Sequence, residues 1–196
     1  MSRRANSLIA TVKPELENKA QQTLERIKAD LDVDRKEIIS SLKSVLKNGL
    51  EKVAAAQPGK GKIKHIHISY LLSSLLAGKC EFRIDFYNST QYLDEMETES
   101  YWVADFITDC FVEDFKYFQT LLKAKLVRVR DYEARKTVVD FGMFYLSALT
   151  FCWQGIFVGL PFGEHAHLFE KQVKIVYGGF QDKSVPIALV NVQGGA

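Results

Sequence analysis

The chain has 196 residues, of which 47% are hydrophobic and 26% are charged, and its formal net charge is +2. These fractions are typical of soluble globular proteins, and the length is sufficient for one ordinary core with an appendage. So small a net charge does not by itself indicate nucleic-acid binding. The three cysteines are too widely spaced to indicate a disulfide framework or a zinc knuckle.

The charge is spread unevenly along the chain. Residues 1–62 contain 13 Lys and Arg against 8 Asp and Glu, whereas residues 63–196 contain 13 against 16. This asymmetry indicates a basic N-terminal arm on a weakly acidic body. The N-terminus has only a short apolar stretch before Lys13 and does not resemble a secretory signal. Together with the unpaired cysteines, this predicts a cytoplasmic protein.

The first predicted helix begins at Pro14, a residue suited to the first helical position. Its apolar residues recur at steps of three and four: Leu16, Ala20, Leu24, Ile27 and Leu31. A second helix is predicted to start after Asp34, which forms a capping-box pattern with Glu37, and to fade by Ala56. Because both apolar stripes are narrow, each helix needs a partner surface to be stable.

A linker is predicted at residues 58–62, where proline and two glycines leave few side chains that could pack. It divides the chain into a helical arm at residues 1–57, which could self-associate, and an α+β body at residues 63–196. Within the arm, residues 14–56 are the predicted contact with a protein partner or with further copies in a homo-oligomer.

Strands are predicted at residues 63–69 and 80–88, where apolar and polar residues alternate. Long helices are predicted at about residues 98–124 and 132–157. A hairpin turning at Gly178-Gly179 completes the chain, and Pro186 places its last strand at an edge or a bulge. The predicted fold class is α+β, with a two-helix N-terminal arm and a small, mainly antiparallel sheet packed on two long helices.

Two His-x-His pairs are the first candidate site. His65 and His67 lie in the first strand, where residues two apart project from the same face. His165 and His167 repeat the spacing after a Leu-Pro-Phe-Gly segment. Four imidazoles that converged could bind a divalent transition metal, although the motif is far less specific than HExxH. The competing interpretation is a polar strand face and, separately, an exposed loop, so no cofactor is predicted.

Carboxylates form the second group of candidates. Asp105, Asp109 and Glu113 recur every four residues and therefore stack along one side of a helix. They form either a solvated face or a docking face for a basic element, which the N-terminal arm could supply. Asp140 lies in an apolar segment, where its charge needs a partner. Asp105 and Asp140 are the candidate catalytic acids or bases; a structural ion pair is the competing interpretation for Asp140.

Residues 141–163 form an uncharged run long enough to span a bilayer. A Gly-Leu-Pro segment and several polar residues within the run favour a buried helix of a globular body instead. An aromatic-lined ligand pocket near Tyr101, Trp102, Phe144 and Trp153 is a further interpretation, although such residues are more often core.

The sequence contains no nucleophile motif and no glycine-rich phosphate loop. We therefore predict a soluble, non-catalytic interaction or scaffold protein that assembles through its helical arm. The alternative is a metal-dependent, hydrolase-like enzyme that uses the two histidine pairs. Nucleic-acid and membrane partners are not predicted.

Overall fold

The computed structural model describes residues 3–126, 128–134 and 163–192, together with residues 142, 146, 150 and 153. Its fold class is α+β, as predicted. Contacts divide the chain into two compact units. The first comprises the described residues of Met1–Val33, Leu72–Cys80 and Ala104–Leu149, and the second those of Asp34–Leu71, Glu81–Val103 and Thr150–Ala196. The predicted division into arm, linker and body stays a prediction.

The first unit is helical. It contains α1 (Arg3–Val33), the short α3 (Leu72–Leu76) and α4 (Asp105–Lys125). Helix α1 packs on α4. Buried apolar residues of both helices form one cluster together with Ala134: Val12, Leu16, Phe118, Leu122 and Ala134. Burial of such side chains is the main stabilising contribution to a helix pair of this kind.

The second unit combines α2 (Arg35–Lys60) with a five-stranded sheet. The strands are β1 (Ile63–Tyr70), β2 (Glu81–Tyr87), β3 (Glu99–Val103), β4 (Phe169–Gly179) and β5 (Ser184–Asn191). Their order is β3-β2-β1-β4-β5. Only the β1–β4 pair is parallel, so the sheet is mainly antiparallel, as predicted.

One face of the sheet is apolar and forms the core of this unit. Ile66, Phe86 and Ile175 lie side by side across three neighbouring strands of this face. Trp153 packs against the same face, with its ring centroid 4.9 Å from that of Phe82 and 5.4 Å from that of Trp102. Trp102 and Trp153 are therefore core residues. Phe144 lies outside the described residues.

Helix α2 approaches the sheet closely at Gly49. A Cβ atom at this position would lie 2.8 Å from Phe86 Cζ and closer still to Phe86 Cε2 and Ser100 Oγ. The absent side chain therefore sets the distance between α2 and strands β2 and β3. Trp102 Nε1 donates a hydrogen bond to Ser41 Oγ (3.1 Å) and Lys52 Nζ donates to the Glu99 carbonyl (2.7 Å), so polar contacts also join α2 to β3.

Both N-terminal helices extend beyond their predicted ends. Helix α1 begins by Arg3 and contains Pro14 within it, because buried Val12 continues its apolar stripe upstream. The break at Asp34 is confirmed, but the capping box is wrong. The Asp34 side chain makes no capping hydrogen bond, and its backbone carbonyl instead accepts the N–H groups of Glu37 and Ile38, each at 3.0 Å.

Helix α2 continues to Lys60, past the predicted end at Ala56. The Lys60 ammonium group is fully buried, 2.7 Å from Asp94 Oδ2. Asp94 also accepts the backbone N–H groups of Asn88 and Met96, so the buried carboxylate has three donors. This ion pair fixes the end of α2 against the connection between β2 and β3.

The predicted helix at residues 98–124 is wrong at its start. Residues 99–103 form β3, because Ser100 and Trp102 are buried while Tyr101 and Val103 are exposed, the period-two alternation of a strand. Helix α4 begins only at Asp105. Residues 131–134, 142, 146, 150 and 153 are helical, and the remainder of the helix predicted at 132–157 lies outside the described residues.

The C-terminal hairpin is confirmed, but its turn lies beyond the two glycines. Gly178 and Gly179 end β4, and the chain turns at residues 180–183. A Cβ at Gly178 would clash with the opposing backbone at Ser184, which explains glycine there. Pro186 lies in the edge strand β5 beside an irregularity in which Ile187 is an extra residue, so both parts of the Pro186 prediction are confirmed.

Candidate functional site

The second face of the sheet is polar and carries the first histidine pair. His65 and His67 alternate with the core isoleucines of β1 and lie directly beside Tyr87 and Asp85 of β2. The adjacent pair on the same face is Ser69 and Arg83. Both histidines, Ser69 and Asp85 are buried, so this face is more enclosed than an ordinary solvent-exposed strand face.

A tyrosine pair encloses His67. Its Nδ1 atom lies 3.1 Å from the Tyr92 hydroxyl, and its ring meets those of Tyr87 and Tyr92 edge-on, with centroids 5.0 and 5.1 Å away. Burial, together with the charges of His65 and Lys174, lowers the pKa of His67 to about 4. His67 is therefore neutral at pH 7 and forms a hydrogen bond with the tyrosine hydroxyl.

His65 is also kept neutral. Burial and the charges of Lys64 and Lys174 lower the pKa of His65. Its Nε2 atom lies 3.4 Å from Gln91 Nε2, and its ring centroid is 6.2 Å from that of His67. Two neutral imidazoles on one strand face are thus close enough to approach a single small ligand.

The acid beside these histidines is Asp85, which the sequence analysis did not select. Arg83 Nε donates to Asp85 Oδ1 at 2.7 Å, and Arg83 Nη2 lies 3.1 Å from Glu97. Arg83 also stacks on the Phe180 ring, 4.4 Å from its centroid. Burial raises the pKa of Asp85 to about 6, against the opposing effect of Arg83. This carboxylate is therefore held by a cation and is not a free base.

The second histidine pair lies in a 3₁₀ turn, Gly163–Leu168, that leads into β4. His167 is exposed and His165 is partly buried. All four histidines belong to the part of the chain that the structure describes, and no group of three or more His, Cys, Asp or Glu side chains in that part is arranged to hold a metal ion. The four-histidine metal site stays a prediction.

The structure describes one of the two candidate catalytic acids. Asp105 is exposed at the first turn of α4, and Asp140 lies outside the described residues. Of the carboxylate ladder, Glu113 binds α1, with its Oε2 atom 2.7 Å from Arg26 Nη1. No described helix is both long and apolar enough to cross a membrane. Most of the uncharged run at 141–163 lies outside the described residues.

The sequence contains part of the information that places Asp85 beside His67. Residues 63–69 and 81–87 both alternate, and antiparallel pairing of two neighbouring strands aligns their polar faces. The missing information was the register between them. Tyr92 had no comparable signal, because it reaches His67 from the 3₁₀ turn Gln91–Leu93 between β2 and β3.

The depressed pKa of His67 predicts a pH dependence of stability. Between about pH 4 and its unfolded value of about 6.5, the unfolded chain binds more protons at this residue, so the stability due to His67 rises with pH. The free energy of unfolding of the wild type minus that of His67→Gln should therefore rise across this window. The exposed His167→Gln is the control for the effect of replacing a histidine by glutamine. Urea denaturation measures these free energies. A difference between the wild type and His67→Gln that stays constant with pH would contradict a lowered pKa of His67.

The contribution of Asp85 to stability changes with pH in the opposite direction. Its raised pKa, about 6 in the folded protein, means that the folded chain binds more protons there between about pH 4 and 6. The stability due to Asp85 therefore falls with pH in that range. Because the contributions of His67 and Asp85 change with pH in opposite directions, the pH profile of wild-type stability cannot be assigned to either residue. The quantity to measure is therefore the difference in the free energy of unfolding between the wild type and a variant.

Comparison with known proteins gives no relative: the chain matches no protein-family model, no curated protein and no solved structure.

Proposed function

We propose that this is a non-catalytic interaction protein that assembles through its N-terminal helices, residues 14–56, with a second copy of itself as the partner. The observation that carries the proposal is the charge-complementary packing of α1 on α4. Lys19 Nζ lies 3.2 Å from Asp114 Oδ1, and Arg26 Nη1 lies 2.7 Å from Glu113 Oε2. The basic arm and acidic helix of the sequence analysis are thus complementary surfaces.

The α1–α4 contact also specifies its own register. Thr23 Oγ1 donates a hydrogen bond to Asp114 Oδ2 at 2.7 Å, and both residues are buried. A buried polar pair of this kind disfavours slipped arrangements, because a shift would leave the carboxylate without its donors. Lys125 and Glu15 form a further ion pair at the other end of the contact.

Contacts that hold a helix to its own chain can hold it equally well to an identical chain. Exchange of such an element is a low-cost route to a dimer. Only Asp34 separates α1 from α2, and its backbone angles, φ −100° and ψ 16°, lie outside the regular helix. In the proposed exchange, the backbone changes direction at this residue. Assembly through α1 therefore reuses existing complementarity and needs no additional exposed stripe.

Covalent trapping tests the exchange directly. Chains carrying Glu15→Cys and chains carrying Lys125→Cys are co-expressed and oxidised, so that a disulfide between these two positions can form only between chains. We expect a covalent dimer of twice the 22.3 kDa chain mass in mass spectrometry. Wild type, with its native cysteines, sets the background.

Glu17→Cys with Lys125→Cys is the matched control, because residue 17 lies about 200° around the helix from residue 15. Equal cross-linking by both pairs would indicate random collision. A non-covalent mass of a single chain across the concentration range, with no Glu15–Lys125 dimer, would contradict assembly through α1.

A cytoplasmic location belongs to the same proposal. It is supported by Cys80 and Cys110, which are buried free thiols of the kind that a reducing compartment preserves. Burial raises the pKa of Cys110 to about 11, so this thiol is unreactive at neutral pH.

The alternative, a metal-dependent and hydrolase-like enzyme, is favoured by one observation, the shared strand face of His65 and His67 with ring centroids 6.2 Å apart. Elemental analysis of tag-free protein purified without chelator separates the two functions. About one transition-metal ion per chain, lost in His65→Ala, would favour the enzyme.

A further inference from the structure

Strand β3 is an edge of the sheet, paired on one side with β2. The Phe86 N–H donates to the Thr98 carbonyl and the Ala104 N–H donates to the Cys80 carbonyl, which fixes the alternation of this antiparallel pair. Ser100 and Trp102 therefore direct their backbone groups toward β2. The backbone N–H and C=O groups of the intervening residues, Tyr101 and Val103, point away from the sheet.

The two edges of the sheet differ in protection. Edge strands of natural proteins usually carry proline, a bulge or a lysine that prevents pairing with another chain. Strand β5 has both Pro186 and the irregularity at Ile187. On β3, Lys52 covers the Glu99 carbonyl, and among the described residues no comparable group covers Tyr101 or Val103.

Two large apolar side chains on this edge strand are exposed, those of Tyr101 and Val103. In the part of the chain that the structure describes, eleven large hydrophobic residues are exposed, and five of them lie in the segment that leads into and forms β3: Tyr92, Leu93, Met96, Tyr101 and Val103. Tyr101 is 46% exposed and Leu93 is 83% exposed. Apolar surface next to unpaired backbone groups is the combination that a sheet edge offers to an extended peptide.

The charge around the edge selects the partner. Residues 84–103 contain five Asp and Glu and no Lys or Arg. Lys60 pairs with Asp94, Arg83 pairs with both Asp85 and Glu97, and Lys52 Nζ lies 3.8 Å from Glu99 Oε1. Glu95 is exposed and has no ion pair among the described residues. Three cations therefore face five acids, and the segment keeps an excess of negative charge. Pairing of β3 with a second copy would bring two acidic segments together, and nucleic acid would be repelled.

We propose that β3 is a docking edge for an extended, basic segment of a partner protein, which adds a sixth strand beside Tyr101 and Val103. The partner's backbone binds the outward N–H and C=O groups of these two residues. Its apolar side chains cover Tyr101, and its Lys or Arg side chains approach Glu95. The residues of this edge are different from those of the α1–α4 contact, so either proposal can fail without the other.

The test uses the full chain and a defined probe, an acetylated and amidated heptapeptide of alternating lysine and valine. We expect binding at or below about 1 mM, with slower hydrogen exchange at the Tyr101 and Val103 amides in NMR spectra. We expect a glutamate–valine peptide to bind at least about tenfold more weakly. Equal binding of both peptides, no binding at about 1 mM, or binding without protection of the two amides would overturn the proposal.

Val103→Lys places the usual protective residue on the edge without removing a bond to β2, because the backbone of residue 103 faces outward. We expect it to lower the affinity for the lysine–valine peptide by at least about tenfold. Val103→Thr is the matched control, since it keeps a β-branched side chain, and should bind within about twofold of the wild type. Circular dichroism confirms that both variants are folded. Unchanged affinity in Val103→Lys would overturn the proposal.

Discussion

Replacement of Asp94 by leucine should destabilise the protein by about 3–5 kcal/mol, the usual cost of leaving one member of a buried ion pair unpaired. The Lys60 ammonium group is fully buried, and among the described residues it would keep only the Met96 carbonyl as a partner. The backbone N–H groups of Asn88 and Met96 would also lose their acceptor. Urea denaturation measures the loss as a change in the free energy of unfolding.

Lys60→Met should be the milder of the two changes. It leaves the Asp94 carboxylate with two backbone donors, so the remaining charge is partly satisfied. The double variant should lose less stability than the sum of the single variants, because it leaves neither charge alone. The exposed neighbour Glu95→Leu is the control and should stay within about 0.5 kcal/mol of the wild type. A loss below about 1 kcal/mol in Asp94→Leu would contradict the buried pair.

Gly49→Ala should also be destabilising, by about 1–3 kcal/mol, although alanine is the better helix former by about 1 kcal/mol. The added methyl group would overlap the Phe86 ring and Ser100 Oγ, and neither lies at the end of a flexible chain. Helix α2 would have to move away from the sheet. The change in the free energy of unfolding is again the measurement.

Gly59→Ala is the matched control in the same helix. Its nearest neighbour would be the flexible Met96 side chain, with Cγ 3.6 Å from the new Cβ. It should therefore be neutral or stabilising by up to about 1 kcal/mol. The double variant Gly49→Ala with Phe86→Leu should lose less free energy of unfolding than the sum of the two single variants, because leucine does not fill the position of the ring. If Gly49→Ala left the free energy of unfolding unchanged, the close approach of α2 to the sheet would not contribute to stability.

Much of the architecture followed from local patterns. Alternation identified β1 and β2 because each strand has one face in the core and one polar face. The same alternation at residues 99–103 does not identify β3 in the sequence, because Trp102 also fits a helical stripe that continues into α4. The periodicity of α1 was recognised, but its start was placed at Pro14, since proline is commoner at a helix start than inside one.

The site depended on information that no local pattern contains. The histidine pair on β1 was recognised, whereas its neighbours Asp85 and Tyr92 follow from strand register and from the path of a connecting turn. Lys60 belongs to the segment predicted as a linker, and its partner Asp94 lies 34 positions later. Glycine and proline there suggested a flexible segment, and burial of the lysine was decided by the tertiary fold.

The position of β1 in the sheet has a consequence for how the chain folds. Its parallel partner β4 lies more than a hundred residues later, with Ile66 beside Ile175. During synthesis, β1, β2 and β3 can form a meander while one edge of β1 still lacks a neighbour. Closing so long a loop makes the last step slow, and an apolar strand edge stays open meanwhile to wrong pairing. The newly made chain is thus most vulnerable to aggregation just before residues 169–179 emerge from the ribosome.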